Sequence, residues 1–274
     1  MRIAILGMGS IGARHAQNLL EMGETDLIGC DYRAADVRAG FQFPIMNSLE
    51  YVWAARPDAV LICTPPATHT TLALDAIESG AHVFIEKPIA TTVADATHLV
   101  RAAEQKNVQL AVGYQLRFHC YGIERHRYQQ KLSIVHQQDM STWPSLYIKD
   151  VLDEFSHEID VAFYLNGPAQ SVVARNRGYR WNIEIQHQTA YSNIQINAGP
   201  GPFARWIAAT AGAWQFNICK NDQAYKDELA AFLSVCQGST WNDRLCSGAE
   251  AAHVVRIIEA CRESARECRV VALA

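Results

Sequence analysis

Arg2-Ile3-Ala4-Ile5-Leu6-Gly7-Met8-Gly9-Ser10-Ile11-Gly12 opens the chain with a short apolar run that meets three glycines in GxGxxG spacing. The run reads as a buried parallel strand, and Ile11, Ala16, Leu19 and Leu20 fall near one face of the helix that follows. In a strand–turn–helix, Gly7 permits the tight turn and Gly9 lets the backbone approach a pyrophosphate. Gly12 allows close helix–strand packing. Met8, Ser10 and Ile11 complete a loop whose free N–H groups and positive helix-dipole end suit an anion. Asp31 closes the next apolar run, 19 positions after Gly12. A carboxylate there can accept both ribose hydroxyls of a dinucleotide and repels a 2′-phosphate, so NAD is the expected cofactor. Arg33 could pair with a 2′-phosphate, which keeps NADP as the alternative.

Outward from this loop, apolar runs at 2–6, 26–30, 59–63, 82–85 and 109–112 alternate with helical spacing. Leu72, Leu74, Ala76 and Ile77 populate the core side of one helix, which Gly80 should end as a left-handed cap. Thr91 or Thr92 can cap the helix carrying Ala96, Leu99, Val100 and Ala103. This pattern predicts an α/β domain with a doubly wound parallel sheet over 1–117. After Phe118 the texture changes, and 119–150 is polar and aromatic with weak periodicity. A helix is expected over 153–165, stopped by Asn166-Gly167-Pro168. Ser171–Ala174, Asn182–Gln186, Tyr191–Asn197 and Ala204–Ala209 alternate as in an antiparallel sheet with one covered face. Helical spacing returns at 224–236 and 249–266, and Val270–Leu273 reads as a last strand. Residues 118–274 are therefore expected to form an α+β domain.

Composition narrows the function classes. The 274 residues are 49% hydrophobic and 19% charged, with a net charge of −4. No basic excess is available for phosphate neutralisation, so nucleic acid is not the expected partner. No apolar run approaches a membrane span, and the N-terminus lacks the apolar core of a signal peptide. Eight scattered cysteines without a CxxC pair read as reduced thiols of a cytoplasmic protein. No metal site is expected: His157-Glu158-Ile159-Asp160-Val161 begins like HExxH but carries Val161 at the second ligand position.

Three further stretches belong together. Cys63-Thr64-Pro65-Pro66 with His69 ends the third apolar run, Glu86-Lys87-Pro88 ends the fourth, and Ser156-His157-Glu158-Ile159-Asp160 opens the later helix. With the glycine loop, with Tyr225…Glu228-Leu229…Phe232 and with Ser247-Gly248-Ala249-Glu250-Ala251-Ala252, they resemble the glucose–fructose oxidoreductase / inositol dehydrogenase / rhizopine-catabolism (Gfo/Idh/MocA) family. The resemblance implies a Rossmann domain followed by an α+β domain with a large open, mainly antiparallel sheet. It implies a dehydrogenase or reductase of sugars, cyclitols and related polyols, a homodimer or homotetramer joined through the sheet face, and a cis Lys87–Pro88 bond. By the same resemblance Thr64, Pro65, Pro66, His69, Glu86, Lys87 and Gln115 lie along the cofactor, and Arg117 lies near the substrate. The family usually has glycines before the later helix, where this chain reads Tyr147-Ile148-Lys149-Asp150.

The chemistry can also be argued directly. Hydride transfer between nicotinamide and a secondary alcohol needs a general acid/base, plus a cation facing the developing alkoxide. Lys87, leaving a parallel strand at its carboxyl end, is the candidate cation. His157 is the candidate proton carrier. Asp153 and Glu154 precede it by four and three residues, and either could fix its tautomer; Asp153 matches the commoner family pattern. Lys87, Arg117, Glu154 and His157 are candidate substrate contacts, with Trp143 and Tyr147 able to stack on a sugar ring. Asp160 serves equally well as a structural hydrogen-bonding residue. Competing readings are an imine or conjugated-carbonyl reductase, a redox-neutral NAD enzyme and a non-catalytic dinucleotide-binding regulator.

Overall fold

The computed structural model describes residues 1–34, 40–119, 131–139, 151–199, 203–209, 212–214 and 222–273. Two compact units divide the chain: Met1–Phe118 with Asn221–Ala252, and His119–Lys220 with His253–Ala274. The boundary expected at 117/118 sits beside the first crossing. The expectation that all of 118–274 forms the second domain is corrected, because 221–252 returns to the first unit. The cause is apolar burial: a helix over Gln223–Cys236 sends Leu229 and Phe232 into the same core cluster as Ile3, Leu19 and Phe84.

In the first unit, strands β1 (Ile3–Leu6), β2 (Leu27–Cys30), β3 (Ile45–Met46), β4 (Ala59–Ile62), β5 (His82–Glu86) and β6 (Leu110–Gly113) form a parallel sheet. A late strand, β13 (Cys246–Ser247), joins it antiparallel to β6. The order is β13-β6-β5-β4-β1-β2-β3. β1 and β4 are buried at every position, and each fully buried aliphatic side chain contributes roughly 1.5–3 kcal/mol. Helices α1 (Ser10–Glu21), α2 (Leu49–Ala54), α3 (His69–Glu78) and α4 (Val93–Lys106) lie between the strands. Their ends follow local chemistry. Gly80 adopts φ +85° just after α3, and the Thr92 side chain accepts from Asp95 N to cap α4. The short α5 (Leu116–His119) follows β6. Strand order reverses between β1 and β4, and the carboxyl end of such a switch point is where open α/β sheets bind ligands.

In the second unit, β7 (Lys131–Gln137), β8 (Ala169–Arg177), β9 (Arg180–His187), β10 (Tyr191–Asn197), β11 (Ala204–Ala209), β12 (Gly212–Trp214) and β14 (Val271–Ala272) pair in the order β12-β11-β7-β10-β9-β8-β14. Among the described residues only β7 and β10 run parallel, so the sheet is mainly antiparallel, as expected. Leu132, Ile134, Ile183, Ile185, Ile194 and Ile196 are buried on its covered face. A single helix over 153–165 was expected; two are present, α6 (Val151–Glu154) and α7 (Ser156–Asn166). Phe155, at φ −91° and ψ 19°, separates them. The helix α8 (Gln223–Cys236) belongs to the first unit, and the boundary at 252/253 falls within α9 (Gly248–Glu267). Among the described residues no helix is long and apolar enough to cross a membrane.

Candidate active site

The sequence explains the glycine loop position by position. Gly7 follows β1 at φ +86°, and a Cβ there would stand 2.8 Å from the Cys63 carbonyl oxygen at the end of β4. The two switch-point loops therefore approach each other at backbone distance. A Cβ at Gly12 would fall 1.9 Å from the Gly7 carbonyl oxygen, so α1 can lie this close to the loop only with glycine. At Gly9, the N-cap of α1, an added Cβ would meet nothing within 4 Å. The loop is thus closed behind Gly7 and Gly12 and open in front of Gly9, with exposed Ser10 beginning the helix. Met8 turns its side chain into the core and is 3% exposed.

Asp31 stands at the edge of this cradle, just after β2. Its carboxylate is buried and accepts from Met8 N at 2.9 Å and Arg33 N at 2.8 Å. The bond to Met8 ties the end of β2 to the glycine loop. Each oxygen keeps a lone pair for a ribose hydroxyl. The Arg33 guanidinium is exposed, lies 3.6 Å from the same carboxylate and rests over the Tyr32 ring.

The Thr64–Pro66 loop and the E-K-P turn stand at the carboxyl ends of β4 and β5. Thr68 Oγ1 donates to Thr64 Oγ1 at 2.7 Å, beside exposed Pro65 and half-buried Pro66. His69 was expected along the cofactor. It is fully buried, with Nδ1 2.8 Å from the Pro88 carbonyl and Nε2 2.8 Å from the Thr64 carbonyl. Burial pushes its pKa below the ordinary histidine value. Neutral His69 carries a single N–H, so it donates to one of these two carbonyls at a time. Lys87 is half-buried and enters a cis bond to Pro88, as the sequence resemblance implied. Glu86 is buried; Oε1 meets His15 Nε2 at 2.6 Å and Oε2 accepts from Lys87 N at 3.3 Å. Gln115 donates to the Tyr225 hydroxyl at 2.8 Å. Burial, with Glu86 nearby, pushes that phenol up to about 12.

Arg117 was expected near the substrate. The structure instead buries it completely, with its guanidinium 3.2 Å from Glu250 Oε2, and Glu250 also accepts from Ser247 N. The arginine thereby fastens the end of β6 to the start of α9, a packing role within the first unit.

Lys87 belongs to the first unit; Asp153, Glu154 and His157 belong to the second. His157 is 6% exposed on α7, where Ser156 through Leu165 are all buried. The break at Phe155 places Asp153 and Glu154 on α6, so the single helical face expected to carry Asp153 and His157 is interrupted. Glu154 is half-buried and Asp160 fully buried. The Asp153 side chain, Trp143 and Tyr147 lie outside the described residues. Glu158, next to His157, is buried with Arg205 Nε and His136 Nδ1 each 2.9 Å from Oε1. Burial alone would raise its pKa, but Arg205 and His136 override this and lower it to about 2.

The model of an oxidoreductase family with an NAD-binding Rossmann fold matches residues 1–114. Over these residues the chain is similar to the Gfo/Idh/MocA family. UDP-N-acetylglucosamine 3-dehydrogenase from Acidithiobacillus ferrooxidans is 29% identical over 181 residues, covering 61% of this chain and 55% of that protein. Inositol 2-dehydrogenase from Rhodococcus jostii is 31% identical over 190 residues, covering 60% of this chain and 50% of its own. The chain thus spans about half the length of the curated relatives it matches. A solved structure of the Acidithiobacillus enzyme superposes with a TM-score of 0.83 at 21% identity, over 97% of this chain and 98% of that one. The fold extends through both units.

The domain over residues 1–114 fits NAD on its own geometry. The cradle is closed where glycine is needed for packing, open where a pyrophosphate would approach, and edged by a carboxylate with spare acceptor capacity. Sequence reasoning missed His15, which α1 buries against Glu86, and the Glu158–His136–Arg205 cluster. Helical spacing alone gave no signal for either. Tyr225 and Glu228 carried part of the family resemblance without a role; Tyr225 packs edge-on to the His15 ring at 5.8 Å.

Proposed function

We propose that the protein is an NAD-dependent oxidoreductase acting on a secondary alcohol, or the matching ketone, of a sugar, cyclitol or sugar nucleotide. The observation that carries this reading is the pairing of the open Gly9 cradle and buried Asp31 with a lysine at the carboxyl end of β5, beside the switch point. The curated relatives, dehydrogenases of UDP-N-acetylglucosamine and inositol, support the substrate class.

Gly7 to Gly12 would hold the pyrophosphate and Asp31 the adenosine ribose, with Thr64, Pro65 and Pro66 along the nicotinamide half. The bound nicotinamide supplies the hydride acceptor or donor. Lys87 stabilises charge on the substrate oxygen as it becomes alkoxide. His157 takes the hydroxyl proton in oxidation and returns it in reduction, oriented by Asp153, or by Glu154 in its place. Exposed Arg33 keeps NADP open as an alternative cofactor. The six described cysteines are all free, which agrees with a reducing compartment such as the cytoplasm. A homodimer or homotetramer joined through the open sheet face completes the reading.

The test begins with fluorescence titration of NADH and NADPH, followed by turnover on myo-inositol and UDP-N-acetylglucosamine. Lys87→Met should abolish turnover and leave NADH affinity within about threefold, since the lysine acts on the transition state. Unchanged turnover in that variant would remove the mechanism. Failure of the folded, cofactor-free protein to bind either nucleotide would remove the function.

A further inference from the structure

The three residues of the E-K-P turn are held in an unusual way. The lysine is flanked on each side by a residue bonded to a different, fully buried histidine. His15 on α1 is 0% exposed, and its Nε2 lies 2.6 Å from Glu86 Oε1. The other oxygen of that carboxylate, Oε2, accepts the backbone N–H of Lys87 itself. His69 at the start of α3 is also 0% exposed, and its Nδ1 lies 2.8 Å from the carbonyl of Pro88.

Two details show that these contacts are built into the packing. His15 Nδ1 has no hydrogen-bond partner among the described residues, so the ring's polar contact is with Glu86, while Phe84 and Tyr225 pack edge-on against its sides. On the neighbouring strand, a Cβ at Gly113 would stand 3.1 Å from the Glu86 carboxyl, so glycine there leaves the carboxylate its space.

We infer that His15 and His69 are positioning residues for Lys87, His15 acting through Glu86 and His69 through the Pro88 carbonyl. The inference rests on the role given to Lys87 above. Neither histidine touches the reacting atoms. His15 rises from the helix whose N-terminus faces the pyrophosphate site, so the brace links that loop to the lysine through one carboxylate. The brace uses the tautomer of His69 that donates from Nδ1 to the Pro88 carbonyl; Nε2, 2.8 Å from the Thr64 carbonyl, then donates nothing. A side chain that must meet a developing alkoxide loses about 100-fold in rate when displaced by about 1 Å, which is the error such a brace prevents.

The test separates the brace from the reaction. In the full chain without cofactor, hydrogen–deuterium exchange is followed in the peptide covering residues 86–89. His15→Leu and His69→Leu should each speed exchange there about tenfold, as expected for loss of one hydrogen bond. His15→Gln, whose amide reaches as far as Nε2, should restore protection to within about threefold. If the leucine variant does not fold, His15→Asn serves in its place, being polar but too short to reach Glu86. In turnover assays the unbraced variants should lose about 10- to 100-fold in kcat, with NADH affinity changed less than about threefold. Unchanged exchange at 86–89 would overturn the inference, as would a His15→Gln that fails to restore it. A loss of NADH affinity matching the loss of kcat would overturn it too, by making His15 a support of the glycine loop alone. Wild-type protein that binds NADH but turns over no polyol would count against the oxidoreductase reading, and the exchange comparison would still decide whether the brace exists.

Discussion

Replacing Gly9 and Gly12 in turn by alanine separates cofactor recognition from folding, because the structure assigns the two glycines opposite surroundings. At Gly12 the new methyl would lie 1.9 Å from the Gly7 carbonyl oxygen. A carbon–oxygen contact relaxes at about 3.3 Å, so the loop or α1 must retreat by about 1.4 Å. Overpacking of this kind costs about 1–3 kcal/mol, which for a chain of this size lowers Tm by about 2–12 °C. At Gly9 the methyl meets nothing within 4 Å, and φ −69° with ψ −162° is an ordinary conformation for alanine. Tm should therefore stay within about 2 °C of wild type. The same methyl would sit on the surface a pyrophosphate has to approach. Backing the phosphates away removes one or two charge-assisted hydrogen bonds of about 1.5–3 kcal/mol each, so NADH affinity should fall at least tenfold and by 100-fold or more at the upper end. Differential scanning fluorimetry reads the first quantity and NADH fluorescence titration the second. Gly12→Ala should lose both stability and affinity, and Gly9→Ala affinity alone. A Gly9→Ala protein that binds NADH within about twofold of wild type would refute the placement of the cofactor on this loop.

Asp31→Ala removes the acceptor of Met8 N and, with it, the carboxylate we propose for the ribose. NADH affinity should drop about tenfold and the preference over NADPH should narrow, while Arg33→Ala should weaken NADPH binding only; paired titrations check both. Glu158, held at about 2, well below the ordinary glutamate value of about 4.5, contributes stability that is fully present above about pH 4.5 and lost as pH falls toward 2. Glu158→Gln should flatten the wild-type decline of Tm across that window. Arg205→Leu should destabilise by about 3–5 kcal/mol at pH 7 by leaving a buried carboxylate without its guanidinium; thermal melts across pH read both effects. Asp153→Asn should lower kcat about 100-fold or more at unchanged NAD affinity, with Glu154→Gln milder. The reverse ranking would transfer the orienting role to Glu154.

What could be read from the sequence divides along a physical line. Strands β1, β4, β5 and β6 announce themselves because both of their faces are covered, so each is a continuous apolar run. β7 hides for the opposite reason. Its buried positions are Leu132, Ile134 and His136, while Val135 is only half-buried, so the last repeat of the alternation is inverted in polarity. β13 has two residues, too few for any period, and only the return of 221–252 to the first unit brings it to β6. The site follows the same rule. The need for glycine at Gly7 and Gly12 was legible because it lies in a loop between one strand and one helix. His15 was not, because on α1 it is one more helical residue until Glu86, 71 positions away, stands opposite it. Arg117 is opaque for the same reason: a cation after a strand says nothing of its partner until Glu250, 133 positions away, stands 3.2 Å from it. Backbone conformation is encoded locally, whereas the partner that decides whether a buried charge is free for chemistry is supplied by the fold.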